Sequence, residues 1–212
     1  MKFEEFMTRV QNLPLIDSEI LMPGEPKPDN IKVQLARWVK SGRLIQLKRG
    51  IFVLAEPYRK TEIDQTLIAS FLIQPSYISQ EKSLEFHNLI PEAVYVYTCV
   101  TTRRPVTFET PLGVYDYRHL RTSLFWGYES IKLKNQTAFM ATPEKALLDL
   151  IYLKHIKVTM DYLEGLRLQY VEKINMKRLM FYAQRFEKPG ILKAAGLIKQ
   201  YIQSCKKKQK RL

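Results

Sequence analysis

One stretch of the sequence, Asp29–Leu54, combines a helical pattern, a glycine and two short apolar runs. The helical part carries apolar residues whose spacing places them on a single helix face: Ile31, Leu35, Trp38 and Val39. Gly42 follows this helix where a left-handed C-cap favours a residue without Cβ. The runs Leu44–Leu47 and Ile51–Leu54 predict a hairpin with the turn Lys48-Arg49-Gly50. This order of elements is typical of a winged helix-turn-helix.

The helix face opposite those apolar residues carries side chains that suit the major groove of DNA. Asparagine, glutamine and arginine can each make two hydrogen bonds to a base edge. We expect the base-reading positions to be Asn30, Val33, Gln34 and Arg37, with Gln34 at the margin of the face. The surrounding basic residues are expected to contact phosphates: Lys27, Lys32, Lys40, Arg43, Lys48 and Arg49.

A packing module with a basic outer face is the alternative interpretation of this stretch. Between Asn30 and Lys60, however, eight basic residues stand against one acid, Glu56. The glycine stop and the basic hairpin tip favour DNA binding over that alternative. A module for single-stranded or double-stranded RNA fits less well, because the stretch lacks the aromatic platform on which such modules stack bases.

The composition agrees with a polyanionic partner. The chain has 212 residues and a formal charge of +13, with the 46% hydrophobic content of an ordinary globular protein. Its two cysteines, Cys99 and Cys205, have no metal-ligand spacing, so we expect no zinc site and no disulfide framework. The sequence has no P-loop and no GxGxxG motif, and no cofactor is expected. No signal peptide and no membrane-spanning run is expected, which predicts a cytoplasmic protein.

The rest of the chain predicts an α+β fold that ends in helices. Helices are expected at Phe3–Leu13, a short segment from Asp17 or Ser18 to Leu21, Ile63–Leu72, Ser79–Asn88, Thr159–Leu168, Met176–Phe186 and Gly190–Ser204. Strands are expected at Val94–Thr102, Val106–Thr110, Gly113–Tyr117, Ser123–Tyr128 and Thr137–Met140. With Glu56–Lys60 as a linker, we predict a winged helix-turn-helix over residues 1–57 and an α+β domain over residues 61–212.

The clearest helix start in the chain is Thr142-Pro143-Glu144. Threonine supplies the cap, proline the preset φ of the first position, and glutamate a charge that suits the helix dipole. The helix continues through Lys154 and is apolar around most of its circumference. Inside it, Asp149 follows Lys145 by four residues, so an ion pair on a narrow polar stripe is the favoured interpretation of this acid.

Five segments follow one another along the chain: LARWVKSGRLIQLKRGIFVL, IASFLIQPSYISQEKSLEFHNLIPE, FETPLGVYDY, LFWGYE and FMATPEKALLDLIYL. In this order they resemble the AbiEi antitoxins of bacterial type IV toxin–antitoxin systems. The similarity spans Leu35 to Leu153, the greater part of the chain.

This resemblance implies an N-terminal winged helix-turn-helix that binds repeats in its own promoter, as monomer or dimer on DNA. It also implies a C-terminal domain that antagonises a nucleotidyltransferase-like toxin, without a stable complex, in phage defence. The segments that match best supply candidates for the antitoxin role: Tyr77, Ser79, Lys145 and Asp149. No catalytic motif transfers, so the protein is not expected to be an enzyme.

Two alternatives remain from the residues. One is a transcriptional regulator without a toxin partner. The other is a metal-dependent nuclease built on Asp116, Glu129 and Lys132, although the last two are three apart and would lie on opposite faces of a strand. The scattered histidines, His87, His119 and His155, are expected to be surface or packing residues.

The C-terminus is basic, with seven basic residues and no acid between Lys193 and Leu212. A solvated helix end is one interpretation, because cations suit the C-terminal dipole. A non-specific phosphate clamp and a dock for an RNA substrate of the toxin are the others.

Overall fold

A computed structural model describes residues 2–21, 28–133 and 136–209 of the chain. Its first part, which we call the N-terminal unit, consists of three helices and three strands. They are α1 (Phe3–Val10), β1 (Ile16–Asp17), α2 (Ser18–Leu21), α3 (Pro28–Lys40), β2 (Leu44–Lys48) and β3 (Ile51–Leu54).

The second part, which we call the sheet body, follows a 3₁₀ turn at Glu56–Tyr58. Its strands are β4 (Ser76–Ile78), β5 (Val96–Thr101), β6 (Val106–Thr110), β7 (Gly113–His119), β8 (Tyr128–Leu133) and β9 (Gln136–Ala141). Its helices are α4 (Gln65–Leu72), α5 (Gln80–Phe86), α6 (Pro143–Leu153), α7 (Met160–Gly165), α8 (Met176–Arg185) and α9 (Pro189–Gln209). The protein is therefore a mixed α+β fold with a helical C-terminus, as the sequence predicts.

The six strands of the sheet body form one mixed sheet in the order β6-β7-β5-β4-β9-β8. The pairs β4/β9 and β5/β7 are parallel, and the other neighbours are antiparallel. Because side chains alternate along a strand, the sheet has two distinct faces. Tyr77, Val100 and Ala141 pack on one face against α5 to α9, and Ile78 and Met140 pack on the other face against α4.

The hairpin of the N-terminal unit is packed on both sides. β3 is the central strand of the small sheet β1-β3-β2, and all four of its residues are buried. Phe52 and Leu54 belong to the core of the N-terminal unit. Ile51 and Val53 point the other way and belong to the core between α4 and the large sheet. Leu47 of β2 lies in the same core. The N-terminal unit and the sheet body therefore share a core through the hairpin.

Two expected helix starts are confirmed by their hydrogen bonds, and one expected helix end is confirmed by its backbone conformation. The Thr142 side chain accepts from the backbone N–H of Lys145 at the start of α6. Asp17 accepts from the N–H of Glu19 over 2.9 Å at the start of α2. Gly42 has a φ of +69°, the left-handed conformation expected after α3.

The prediction of a strand at Ser123–Tyr128 was wrong. Residues Thr122–Leu124 form a 3₁₀ turn instead, and the strand begins only at Tyr128. The indole N–H of Trp126 donates to the carbonyl of Ser123 over 3.0 Å, which closes the segment on itself. The aromatic and apolar residues of this segment form a local turn and pack in the core. Their high β-propensity therefore led to the wrong prediction of a strand.

Other boundaries moved by less. The opening helix ends at Val10 rather than Leu13, and α9 runs to Gln209 rather than Ser204. Lysine is a good helix former and its charge suits a helix C-terminus, which explains the extension through Lys206. The central strand β4 was not expected as a strand, because three residues after a proline carry too little periodicity.

Candidate functional site

The helix α3 has one buried and one exposed face. Ile31 and Leu35 are each 2% exposed and Trp38 is 8% exposed, so the predicted apolar face is the packed one. The exposed face carries Asn30, Val33, Arg37 and Lys40. Gln34 is half-buried between the two faces, as the helical wheel predicts, and its Oε1 has no hydrogen-bond partner.

Aromatic packing fixes the position of α3. The Trp38 ring lies 4.6 Å from the Phe6 ring and 5.2 Å from the Phe3 ring, measured between centroids. Contacts of this kind stabilise by about 0.5–1.5 kcal/mol each beyond the area they bury. The α1 helix therefore packs against the apolar face of α3 and leaves the polar face of α3 exposed.

The predicted phosphate contacts fall into three groups. Lys32, Lys40 and Arg49 are exposed. Arg43 is half-buried, and its guanidinium carbon lies 4.7 Å from the centroid of the Phe3 ring. Lys27 lies outside the described residues.

Lys48 and Arg49, the two basic residues of the hairpin tip, differ in their surroundings. The ammonium of Lys48 donates to the carbonyl of Leu72 at the end of α4. This bond links the hairpin to the sheet body, so the Lys48 ammonium is not simply exposed to solvent. Arg49 is the exposed cation of the tip.

A buried polar cluster lies in the sheet body, and it contains the four residues that the resemblance singles out. Asp149 accepts hydrogen bonds from Tyr77 over 2.9 Å and from Ser79 over 2.8 Å. Lys145 forms an ion pair with the other oxygen of Asp149 and donates to the Tyr77 hydroxyl over 2.9 Å. All four side chains are fully buried.

Aromatic rings surround the Lys145 ammonium. Its Nζ lies 4.9 Å from the Trp126 ring and 5.0 Å from the Phe186 ring. Gly127 lies against the aliphatic part of the same side chain: a Cβ there would lie 3.1 Å from Cγ of Lys145. No sequence signal singles out Trp126 or Phe186 for this role, because aromatic residues are equally typical of an ordinary apolar core.

Burial decides the electrostatics of this cluster. It lowers the pKa of Lys145, while the Asp149 carboxylate opposes that change. Burial and then the same carboxylate raise the pKa of Tyr77 well above its ordinary value. The predicted ion pair between Lys145 and Asp149 within α6 is therefore confirmed, and Tyr77 on β4 is hydrogen-bonded to both of its members.

The residues considered for a nuclease site are far apart. Asp116 is on β7 and both Glu129 and Lys132 are on β8, with three strands between them. Asp116 accepts from Thr107 and pairs with Arg118, each over 2.7 Å, while Glu129 contacts Arg178 over 3.6 Å. A single metal ion cannot join these acids, so that arrangement was wrong.

Among the described residues, no group of three or more histidine, cysteine, aspartate or glutamate side chains could hold a metal ion. Cys99 and Cys205 are free thiols. His119 and His155 are exposed, and His87 is half-buried with its Nε2 2.9 Å from the carbonyl oxygen of Ala141. Within the described ranges, no helix has both the length and the apolar character needed to cross a membrane.

Comparison of the chain with protein-family models and with curated proteins found no match. The polar face of α3 and the buried cluster around Asp149 are therefore interpreted from their own chemistry.

Proposed function

We propose that this protein is a cytoplasmic regulator that binds double-stranded DNA through α3. The observation that carries the proposal is the exposed face of this helix. It presents an amide, a guanidinium and an ammonium along one face, at Asn30, Arg37 and Lys40, on a helix whose other face packs in an aromatic core.

The chemistry of that face fits a major groove. Arg37 can make two hydrogen bonds to guanine and Asn30 can make two to adenine. Val33, 51% exposed between them, can contact a thymine methyl group. In this proposal the N-terminal unit works as a winged helix-turn-helix, with Arg49 at the hairpin tip on a neighbouring phosphate.

The test begins with selection of bound duplexes from a random DNA pool, followed by gel shifts on the selected sequence. We expect Arg37→Ala to weaken specific binding roughly 5- to 150-fold, the equivalent of one bidentate base contact. Lys177→Ala removes one exposed positive charge from α8 and is the matched control. Equal behaviour of the two variants, or the absence of any selected sequence, would contradict the proposal.

We further propose that the regulator is an antitoxin that represses its own operon. This second part rests on the resemblance of five ordered segments to AbiEi antitoxins. It assigns a nucleotidyltransferase-like toxin as the functional partner, with no stable complex, and no catalytic role to this chain. Because Tyr77, Ser79, Lys145 and Asp149 are fully buried, their part in antitoxicity is to hold β4 against α6, not to contact the toxin.

Co-expression with a nucleotidyltransferase-like toxin encoded beside the gene tests this part. We expect the wild-type chain to restore growth, and Arg37→Ala to restore it equally while losing repression of the promoter. Failure of rescue by a chain that still binds its operator would leave the stand-alone regulator as the function. The DNA proposal and the antitoxin proposal can therefore fail separately.

A further inference from the structure

A cleft of about 760 Å³ opens in the sheet body, away from α3 and outside the buried cluster. Its wall is formed by the start of α5, the loop before β5, the end of α6 and the strand β7. Its lining includes Gln80, Glu81, Tyr95, Arg118 and Lys154. The volume is in the range of cavities that hold small organic ligands.

Gln80 is the most unusual residue of this cleft. It is 1% exposed, yet its Nε2 has no hydrogen-bond partner. Its φ is +54°, a left-handed conformation that costs a non-glycine residue about 1 kcal/mol or more. Native proteins rarely leave a buried amide unsatisfied, so a donor of this kind points to a ligand that supplies the acceptor.

Glu81, the next residue, offers the complementary group. Its Oε1 is paired with Lys154, and its buried Oε2 has no hydrogen-bond partner. An unsatisfied donor and an unsatisfied acceptor thus follow each other in the chain. The Watson–Crick edge of each nucleobase presents an acceptor and a donor side by side, which is the complement of this pair.

The rest of the cleft suits the other parts of a nucleotide. Tyr95 is 84% exposed, an unusual position for an aromatic ring and one that suits base stacking. The side chains of Arg118 and Lys154 are 59% and 51% exposed, so both cations can reach a phosphate. Their charges are balanced by Asp116 and Glu81, so the cleft has no excess positive charge for a bare anion.

We propose that this cleft binds the base of a nucleotide. The base edge is recognised by Gln80 and Glu81, its ring stacks on Tyr95, and its phosphate is contacted by Arg118 and Lys154. A peptide would satisfy the amide and the carboxylate equally well, but it would leave the exposed ring and the two cations without a role. This site is independent of the DNA interface proposed for α3.

The test is calorimetric titration of the full-length protein with each of the four nucleoside 5′-monophosphates, and with ribose 5-phosphate. We expect saturable binding of at least one monophosphate and none of ribose 5-phosphate, because the base supplies the recognition. Tyr95→Ala should weaken binding roughly 5- to 150-fold, the range for one stacked base. Gln80→Leu should weaken it about tenfold or more by removing the amide.

Two controls separate this site from general effects. Phe181→Ala removes a 60% exposed aromatic ring from α8 and should leave the affinity unchanged. A hexanucleotide that binds more tightly than the monophosphate, with the same loss in Tyr95→Ala, identifies an unpaired base of a strand as the ligand. Equal affinity identifies a free nucleotide.

The proposal is overturned if no monophosphate or hexanucleotide binds. It is also overturned if Tyr95→Ala binds like the wild type, or if ribose 5-phosphate binds as well as a monophosphate. Tyr95 is nearly fully exposed, so this variant folds even if Gln80→Leu does not, and it decides the question by itself.

Discussion

The charged residues of α3 and those of α6 differ in their exposure to solvent. On α3, Arg37 and Lys40 face solvent and add little to the stability of the fold. On α6, Lys145 and Asp149 are fully buried and satisfy each other and their neighbours from β4. Exposed charge is available to a partner, whereas buried charge is committed to the fold. Substitutions on α3 should therefore change binding, and substitutions in the buried cluster should change stability.

Removal of Asp149 is expected to have the largest effect. Asp149→Leu leaves the Lys145 ammonium buried without its counterion, which typically costs about 3–5 kcal/mol. Urea denaturation followed by circular dichroism measures the free energy of unfolding. DNA affinity, corrected for the folded fraction, should stay unchanged.

A double variant provides the control for that experiment. Lys145→Met with Asp149→Leu removes both charges, while Tyr77 and Ser79 lose the same acceptor as in the single variant. We expect the double variant to be more stable than Asp149→Leu alone. A single variant that loses less than about 1 kcal/mol, or a double variant that is the less stable of the two, would show that the ion pair does not hold the cluster.

A methyl group at Gly127 tests the same cluster by shape instead of charge. Gly127 has a φ of +77°, and an added Cβ would lie 3.1 Å from Cγ of Lys145. Gly127→Ala should therefore cost about 1–3 kcal/mol through backbone strain and overpacking. Gly196→Ala, where nothing lies within 4 Å of the added Cβ, should be neutral or stabilising. Equal melting temperatures for the two variants would contradict the tight fit at Gly127.

The hairpin tip places an exposed cation, Arg49, next to a cation that is bonded to the sheet body, Lys48. Arg49→Ala should reduce the slope of log affinity against log salt by about one and leave stability unchanged. Lys48→Met removes the hydrogen bond to the Leu72 carbonyl and should lower the free energy of unfolding by about 1 kcal/mol. Salt-dependent gel shifts and urea denaturation of both variants measure the two effects. A reduced salt dependence in Lys48→Met but not in Arg49→Ala would mean that Lys48, not Arg49, is the phosphate contact.

The smallest expected effect concerns pH. Burial lowers the pKa of His87 from its ordinary 6.5, so the unfolded chain takes up a proton before the folded protein does. The stability that neutral His87 contributes is full above pH 6.5 and is lost as the pH falls through its lowered pKa. Since the side chain is half-buried, we expect a loss below about 1 kcal/mol on acidification.

Denaturation at neutral and at mildly acidic pH measures this loss. His87→Gln should flatten the dependence, and His155→Gln, at an exposed position, should preserve it. An unchanged slope in His87→Gln would assign the pH dependence to other groups.

Local chemistry was the part of the fold that could be predicted from the sequence. Thr142 and Pro143 mark the start of α6, and Gly42 marks the end of α3, because caps depend on a few adjacent residues. The buried face of α3 could be predicted for a similar reason, since its apolar residues repeat with the helical period. The strand β4 could not, although it lies at the centre of the sheet.

The two sites could likewise be predicted only where they depend on residues close together in the chain. The i,i+4 spacing predicted the pairing of Lys145 with Asp149, but their depth depends on Tyr77 and Ser79, which are about 70 residues away in the chain. The nucleotide cleft could not be predicted at all. The conformation of Gln80 and the exposure of Tyr95 depend on how β5, β7 and α6 come together. Contacts between distant residues leave no periodic pattern in the sequence.

The strand β3 has a consequence for protein engineering. Ile51 and Val53 are covered by the sheet body, and Phe52 and Leu54 by the N-terminal unit. A fragment cut after Ala55 would expose Ile51 and Val53 to water, and a graft of α3 with its hairpin onto another scaffold would have to rebuild that cover. The helix α3 with its hairpin is therefore not a portable module. A chimera that keeps the exposed face of α3 must also carry α4 and the sheet on which β3 rests.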